Sequence, residues 1–172
     1  MRGWLLDTNV ISELRKARAD PGVLAFVEAQ PGELLYVTEI TFGEIRYGIE
    51  RLDAPSQRTD LNLWLDRTVR PLFAGRILPV SEDVIVRWKT MVVDGQKRGH
   101  TFGQPDLFIA AIAALEDLVV VSRDTLHFVE AGVPVFDPWR GKLHAAGKVR
   151  ALKSPVRAED VAKILSARAT RR

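Results

Sequence analysis

Short apolar runs alternate along this chain with stretches in which apolar residues recur every three or four positions. The runs show no alternation of apolar and polar residues, which is typical of strands buried on both faces of a parallel sheet. We predict five such strands, at residues 3–6, 34–37, 76–80, 118–122 and 133–136. The longer stretches predict helices near residues 9–16, 21–29, 40–52, 57–72, 82–98, 105–116 and 125–131. Strands that alternate with helices predict a layered α/β fold.

The alternation stops close to Trp139. Residues 137–155 have little periodicity and are interrupted by glycines and a proline. We therefore predict a compact domain of residues 1–140 and a C-terminal extension of residues 141–172. The extension is expected either to be disordered or to form a short helix over residues 156–168, which would begin with Ser154 and Pro155 as cap and first helical residue.

Charge is distributed unevenly between these two parts. The chain has 25 basic and 22 acidic residues, and residues 140–172 hold 10 of the basic but only 2 of the acidic ones. The compact part is therefore mildly acidic, and the basicity lies mostly in the extension. With no cysteine, disulfides and thiolate metal sites are excluded. The longest apolar run, Leu107–Leu115, is far shorter than the ~20 residues of a membrane span. We therefore expect a soluble, cytoplasmic protein that does not bind membranes.

Four carboxylates lie at the junctions between predicted strands and helices. Asp7 follows the first strand, Glu44 lies in the helix after the second, Asp106 opens the helix at 105–116, and Asp124 follows the fourth strand. Each also has a purely structural interpretation. Asp7 and Asp124 could cap helices, Glu44 could form a capping box with Thr41, and Asp106 could favour the helix dipole.

Taken together, the four carboxylates indicate a metal site. In a parallel sheet the carboxyl ends of the strands share one edge with the starts of the following helices, so the four can converge there. Two unit charges 4 Å apart repel by about 4 kcal/mol at an effective dielectric constant of 20. A divalent cation removes this repulsion, and oxygen ligands suit Mg²⁺ or Mn²⁺. The chemistry that such a site favours is metal-assisted phosphodiester hydrolysis.

Five segments in order resemble the PIN-domain ribonucleases, specifically the VapC/FitB-type toxins of type II toxin–antitoxin pairs. They are LLDTNVISEL, ITFGEIRYGI, PDLFIAAIAAL, VVVSRDTLHF and the FDPW that follows it, and the resemblance extends over residues 3–139. It implies a PIN-like three-layer α/β/α sandwich with a short-stranded parallel sheet. It also implies an Mg²⁺- or Mn²⁺-dependent RNA endonuclease, in which a metal-activated water cleaves the phosphodiester bond.

The resemblance also assigns site residues and partners. The catalytic, metal-binding acids correspond to Asp7, Glu44, Asp106 and Asp124, and the residues that support them or bind phosphate are Thr8, Asn9 and Ser122. The partners it implies are a second copy of the chain, an RNA substrate and a cognate antitoxin, with operator DNA bound only through the antitoxin. It does not explain the basic extension, for which binding of RNA phosphates or of an acidic partner is a hypothesis.

Two other functions are compatible with an aspartate at the end of the first strand. A magnesium-dependent phosphatase of the haloacid dehalogenase type also has an aspartate after its first strand, but it needs a second aspartate two residues later, where this chain has Asn9. A non-catalytic protein that holds an antitoxin on operator DNA would leave the acids as helix caps. The histidines, His100, His127 and His144, have no metal-ligand spacing and are expected to face solvent or to form local hydrogen bonds.

Overall fold

In the computed structural model, which describes residues 1–101 and 103–166, one seven-stranded sheet forms the centre of the molecule. Its strands are β1 Gly3–Leu6, β2 Leu35–Thr38, β3 Ile77–Leu78, β4 Leu118–Val121, β5 Val135–Asp137, β6 Lys142–Ala145 and β7 Lys148–Ala151. They lie in the order β3-β2-β1-β4-β5-β6-β7. The first five are parallel and coincide with the predicted strands, whereas β6 and β7 are antiparallel.

The predicted helices are all present, with ends that differ by a few residues. They are α1 Thr8–Leu14, α2 Pro21–Glu28, α3 Glu39–Glu50, α4 Pro55–Trp64, α5 Arg70–Leu72, α6 Glu82–Lys97, α7 Gln104–Leu115 and α8 Leu126–Glu130, followed by α9 Ala158–Ser166. A π-helical turn over Leu65–Val69 joins α4 to α5, so the predicted helix at 57–72 is continuous but contains one wider turn. A 3₁₀ turn, Gly32–Leu34, leads into β2.

Helices cover both faces of the sheet, which confirms the predicted α/β/α sandwich. Successive strand residues point to opposite faces, so Trp4 and Leu6 of β1 pack on one side and Leu5 packs on the other. The first side is covered by α1, α2, α3, α4 and α9, and the second by α6, α7 and α8. All residues of β1, β2 and β4 are buried, which explains why the sequence of these strands shows no alternation.

The extension differs from its sequence prediction, because residues 142–166 continue both the sheet and the core. Leu143 of β6 and Val161 of α9 are almost completely buried in the core cluster that contains Trp4. Ala146 and Gly147, both with positive φ, form the tight turn between β6 and β7. A helix is observed within the predicted range 156–168, as α9, but it begins at Ala158, so Ser154 and Pro155 are not its cap and first residue. Residues 167 and 168 lie outside the described part of the chain.

Among the residues that the structure describes, none of the helices has the length and apolar character needed to cross a bilayer.

Candidate metal site

Asp7 lies where β1 meets β4, at the start of α1. Its backbone N–H donates to the carbonyl of Val121 at 3.1 Å, which ties it to the end of β4. Its Oδ1 accepts from the Thr8 N–H at 2.7 Å, so the N-cap interpretation of Asp7 is confirmed. Its Oδ2 accepts from Asn9 Nδ2 at 2.8 Å and from Ser122 Oγ at 2.7 Å. These three donors leave one of about four acceptor positions of the carboxylate for another partner.

Ser122 connects the two central strand ends. It is completely buried, and while its hydroxyl donates to Asp7 it accepts from Asn9 Nδ2 at 2.9 Å and from the Asp124 N–H at 3.0 Å. The side-chain oxygen of Asn9, Oδ1, in turn accepts a hydrogen bond of 3.4 Å from the backbone N–H of Arg123. The three residues that the resemblance assigned a supporting role therefore do lie around the candidate site, and Asn9 and Ser122 orient Asp7 directly.

Glu44 leans from α3 towards the end of β1. Its Oε2 accepts a hydrogen bond of 2.5 Å from Thr8 Oγ1. The capping-box interpretation of Glu44 with Thr41 is wrong, because α3 begins three residues earlier than such a box requires and is capped by Thr38, whose Oγ1 accepts from the Thr41 N–H at 3.0 Å. Glu44 is therefore available to the site.

Asp106 and Asp124 complete the acidic group. Asp106 lies half-buried in the first turn of α7, and Asp124 is exposed after β4. The cap position of α8 is Thr125 and it accepts no side-chain cap bond, so Asp124 does not cap that helix. One potential ligand atom from each of Asp106, Asp124 and His127 lies within 4.8 Å of the other two. His127 was predicted to face solvent or to form local hydrogen bonds, and it lies instead beside these acids.

All four acids line one cleft of about 360 Å³. Its other lining residues are Thr8, Asn9, Ser12, Glu13, Lys16 and Arg123. Ser12, Glu13 and Lys16 were not predicted from the sequence to line the site. For Ser12 and Glu13 a signal was present in the helical spacing, since they follow Asn9 by three and four positions and so share its face of α1, whereas Lys16 lies just after the end of that helix. Glu13 has a structural role, because it accepts from Lys16 Nζ at 2.6 Å and from the Asp20 N–H at 3.0 Å.

The electrostatics of the cleft favour a cation. The pKa of Asp7 is raised to about 6. Burial is the largest cause and the negative charges of Asp106 and Glu44 add to it, whereas the hydrogen bonds from Ser122 and Thr8 lower the pKa. Burial also raises the pKa of Asp106. The charge of His127 lowers this pKa, and the charge of Asp124 raises it. Carboxylates that resist ionisation beside one another are stabilised by a bound cation. Their oxygen atoms fit a divalent ion such as Mg²⁺ or Mn²⁺.

Comparison with known proteins identifies the family. The family model described as PIN domain matches residues 4–133, which is most of the chain. The chain therefore belongs to the PIN-domain family. Within this family it is 39% identical over 135 residues to VapC ribonuclease Y4jK of Sinorhizobium fredii, and 37% identical over 135 residues to Toxin FitB of Neisseria gonorrhoeae. These matches cover 78% of this chain and 96% and 97% of the relatives.

The solved structures agree with this assignment. A chain in the structure of FitAB bound to an IR36 DNA fragment superimposes with a TM-score of 0.74 at 35% identity, covering 79% of this chain and 95% of that one. The matched PIN-domain region ends at residue 133, before β5, the hairpin and α9. The relatives are thus matched over almost their whole length, whereas about a fifth of this chain has no counterpart in the match.

Proposed function

We propose that this PIN-domain protein is the toxin of a toxin–antitoxin pair and acts as a metal-dependent RNA endonuclease. The observation that supports this most strongly is the convergence of Asp7, Glu44, Asp106 and Asp124 on one cleft. The names of the relatives, a VapC ribonuclease and Toxin FitB, point to the same activity. Mg²⁺ or Mn²⁺ is the proposed ion, held by these four acids.

The protein residues have separable tasks in this proposal. A divalent ion held by the acids would neutralise their charge and polarise the phosphodiester. Ser122 and Asn9 hold Asp7 in one orientation by donating to its Oδ2, and Thr8 does the same for Glu44. Arg123, whose guanidinium lies 5.5 Å from the centre of the Trp139 ring, provides a positive charge at the rim where an RNA phosphate would enter.

The test is RNA cleavage by the purified chain. Added Mg²⁺ or Mn²⁺ should start cleavage, chelation should stop it, and Asp7→Asn should abolish it while the fold, followed by circular dichroism, is retained. The products should carry 5′-phosphate and 3′-hydroxyl ends, since the attacking group is water. Cleavage that persists in Asp7→Asn, or products with 2′,3′-cyclic phosphate ends, would contradict the proposal.

The phosphatase alternative is disfavoured by the position of Asn9. Its side-chain amide donates to both Asp7 and Ser122, and an amide cannot exchange a proton as the acid/base of that mechanism does. A non-catalytic role on operator DNA is the remaining alternative. An intact RNA substrate after incubation with metal-loaded protein would favour it.

We further propose an antitoxin partner, a homodimer, and contact with operator DNA only through the antitoxin. The FitAB structure, which is bound to a DNA fragment, supports an antitoxin partner and an association with DNA. A cleft of four carboxylates attracts a fork-shaped cation, so an antitoxin arginine is expected to enter it and block the site. Sedimentation of the purified chain tests the dimer, which should have twice the 19.2 kDa mass of one copy.

A further inference from the structure

His127 lies beside the acidic group, at a place that the sequence analysis did not connect with metal binding. Potential ligand atoms of Asp106, Asp124 and His127 lie within 4.8 Å of one another. Two atoms bound to one ion at about 2.1 Å can be at most about 4.2 Å apart. The three atoms are therefore near enough for rotations of the side chains to bring them onto a common ion.

The ring of His127 has an unused nitrogen. Its Nδ1 is shielded from solvent, and the described part of the chain offers it no hydrogen-bond partner. Buried polar atoms are nearly always paired, so an unpaired nitrogen in a ring that lies beside two carboxylates points to a missing partner. The position of the ring is fixed by the next residue, because Phe128 is completely buried in the core and anchors α8.

We propose that His127 is a nitrogen ligand of the divalent ion, together with Asp106 and Asp124. This assignment rests on the proposed function, since it concerns the same ion. It has a chemical consequence for the choice between Mg²⁺ and Mn²⁺. Mg²⁺ takes oxygen ligands almost exclusively, whereas imidazole binds first-row transition ions. A site with one imidazole and several carboxylates therefore prefers Mn²⁺ to Mg²⁺.

Pulsed electron paramagnetic resonance of Mn²⁺ added to the full-length chain tests the assignment directly. The spin-echo envelope of the bound ion should show modulation from a coordinated ¹⁴N nucleus. Labelling the protein with ¹⁵N-histidine should replace that modulation by the ¹⁵N pattern, without any mutation that could disturb the fold. His127→Gln should remove it. The control His144→Gln should keep it, because His144 pairs with Val135 at the opposite end of β5.

Calorimetric titration with each ion alone gives a second measurement. His127→Gln should weaken Mn²⁺ binding by about tenfold or more and should change Mg²⁺ binding by less than about twofold. The outcomes separate this assignment from the nuclease proposal. Mn²⁺-dependent RNA cleavage without ¹⁴N modulation, or Mn²⁺ that does not bind the wild-type chain, overturns the role of His127. Modulation without RNA cleavage supports His127 as a ligand and contradicts the nuclease.

Discussion

Among single residues, Asp7 combines two roles with opposite energetic consequences. It caps α1 and accepts three hydrogen bonds, which favour the charged form. It is also buried beside Asp106 and Glu44, which disfavours that form and brings its pKa to about 6 from an ordinary value of 3.8. On balance, the charged Asp7 lowers the free energy of unfolding at neutral pH unless a cation binds. Functional sites commonly reduce stability in this way.

The first prediction concerns the pH dependence of stability without metal. Below pH 4 the carboxyl of Asp7 is protonated in both the folded and the unfolded chain. Between pH 4 and 6 the unfolded chain releases this proton first, so the free energy of unfolding falls as the pH rises, and above pH 6 the loss is complete. The pKa difference of about two units corresponds to about 3 kcal/mol.

In Asp7→Asn this pH-dependent loss should disappear. Urea unfolding in the presence of EDTA should show the variant gaining stability relative to the wild type, by up to about 3 kcal/mol, between about pH 4 and about pH 7. Asp60→Asn, at an exposed position of α4, is the matched control and should leave the profile unchanged. Wild-type and Asp7→Asn curves that stay parallel over this range would contradict the raised pKa of Asp7.

The convergence of the four acids was predictable because each lies at a junction of a strand and a helix. Asp7 and Asp124 follow neighbouring parallel strands, so the topology alone places them at one edge. What the acids bind stays a prediction. His127 was not predictable in this way, since its approach to Asp106 depends on how α7 and α8 pack, and the local sequence contains no sign of that packing.

Among the secondary structure elements, the hairpin is the part that the sequence did not reveal. The strands β6 and β7 consist of KLHA and KVRA, which have few apolar residues, and their turn lacks the usual Asn-Gly or Asp-Gly signal. All residues of β7 are exposed, so its sequence has no alternation of apolar and polar residues that would mark a buried face. By contrast, the five parallel strands are recognisable because burial on both faces demands continuous apolar runs.

Gln30 connects this extension to the main core. Its Oε1 accepts from Trp4 Nε1 at 2.8 Å, and its Nε2 donates to the carbonyl of Val156 at 2.6 Å and to that of Phe26 at 3.1 Å. All of these groups lie in buried surroundings. The side chain therefore links β1 and α2 to the segment that leads into α9.

The second prediction is that Gln30→Leu destabilises the protein by about 2–5 kcal/mol, because the Trp4 N–H and the Val156 carbonyl each lose a buried partner. Urea unfolding measures the loss, and limited proteolysis should show earlier cleavage within residues 152–166. Gln57→Leu, at an exposed position of α4, controls for the change of side chain. If both variants unfold at the same urea concentration, Gln30 does not hold the extension in place.

For the whole molecule, the distribution of charge separates the cleft from the extension. The cleft contains four acids, whereas Lys142, Lys148, Arg150 and Lys153 are exposed and have no acidic partner within 4.0 Å among the described residues. Lys142 begins β6 opposite Asp137, at the edge of the sheet where the parallel strands end. Arg150 and Lys153 lie towards the same edge, whereas Lys148 pairs with Ala145 at the other end of β6. An RNA strand whose scissile phosphate lies in the cleft could therefore extend along Lys142, Arg150 and Lys153.

The third prediction is that replacing Lys142, Arg150 and Lys153 by glutamine weakens RNA binding and reduces its dependence on salt. Each phosphate contact on a single strand contributes about 0.7 to the slope of log affinity against log salt concentration, so the slope should fall by up to about 2. Fluorescence anisotropy at several salt concentrations measures it, in the Asp7→Asn background so that the RNA remains intact. Deleting residues 142–172 is not an equivalent experiment, because it removes Leu143 and Val161 from the core.

A second triple variant, in which glutamine replaces Arg87, Lys89 and Lys97 of α6, is the control. It removes the same amount of charge from a helix on the face of the sheet that α6, α7 and α8 cover. This control variant should keep its affinity for RNA and most of the salt dependence of binding. Its missing charges would act on RNA only at long range, and salt screens such effects beyond about 8 Å under physiological conditions. Equal losses in the two variants would mean that RNA responds to net charge alone. An unchanged slope in the extension variant would mean that the extension does not contact the substrate, and that its basic residues serve another partner.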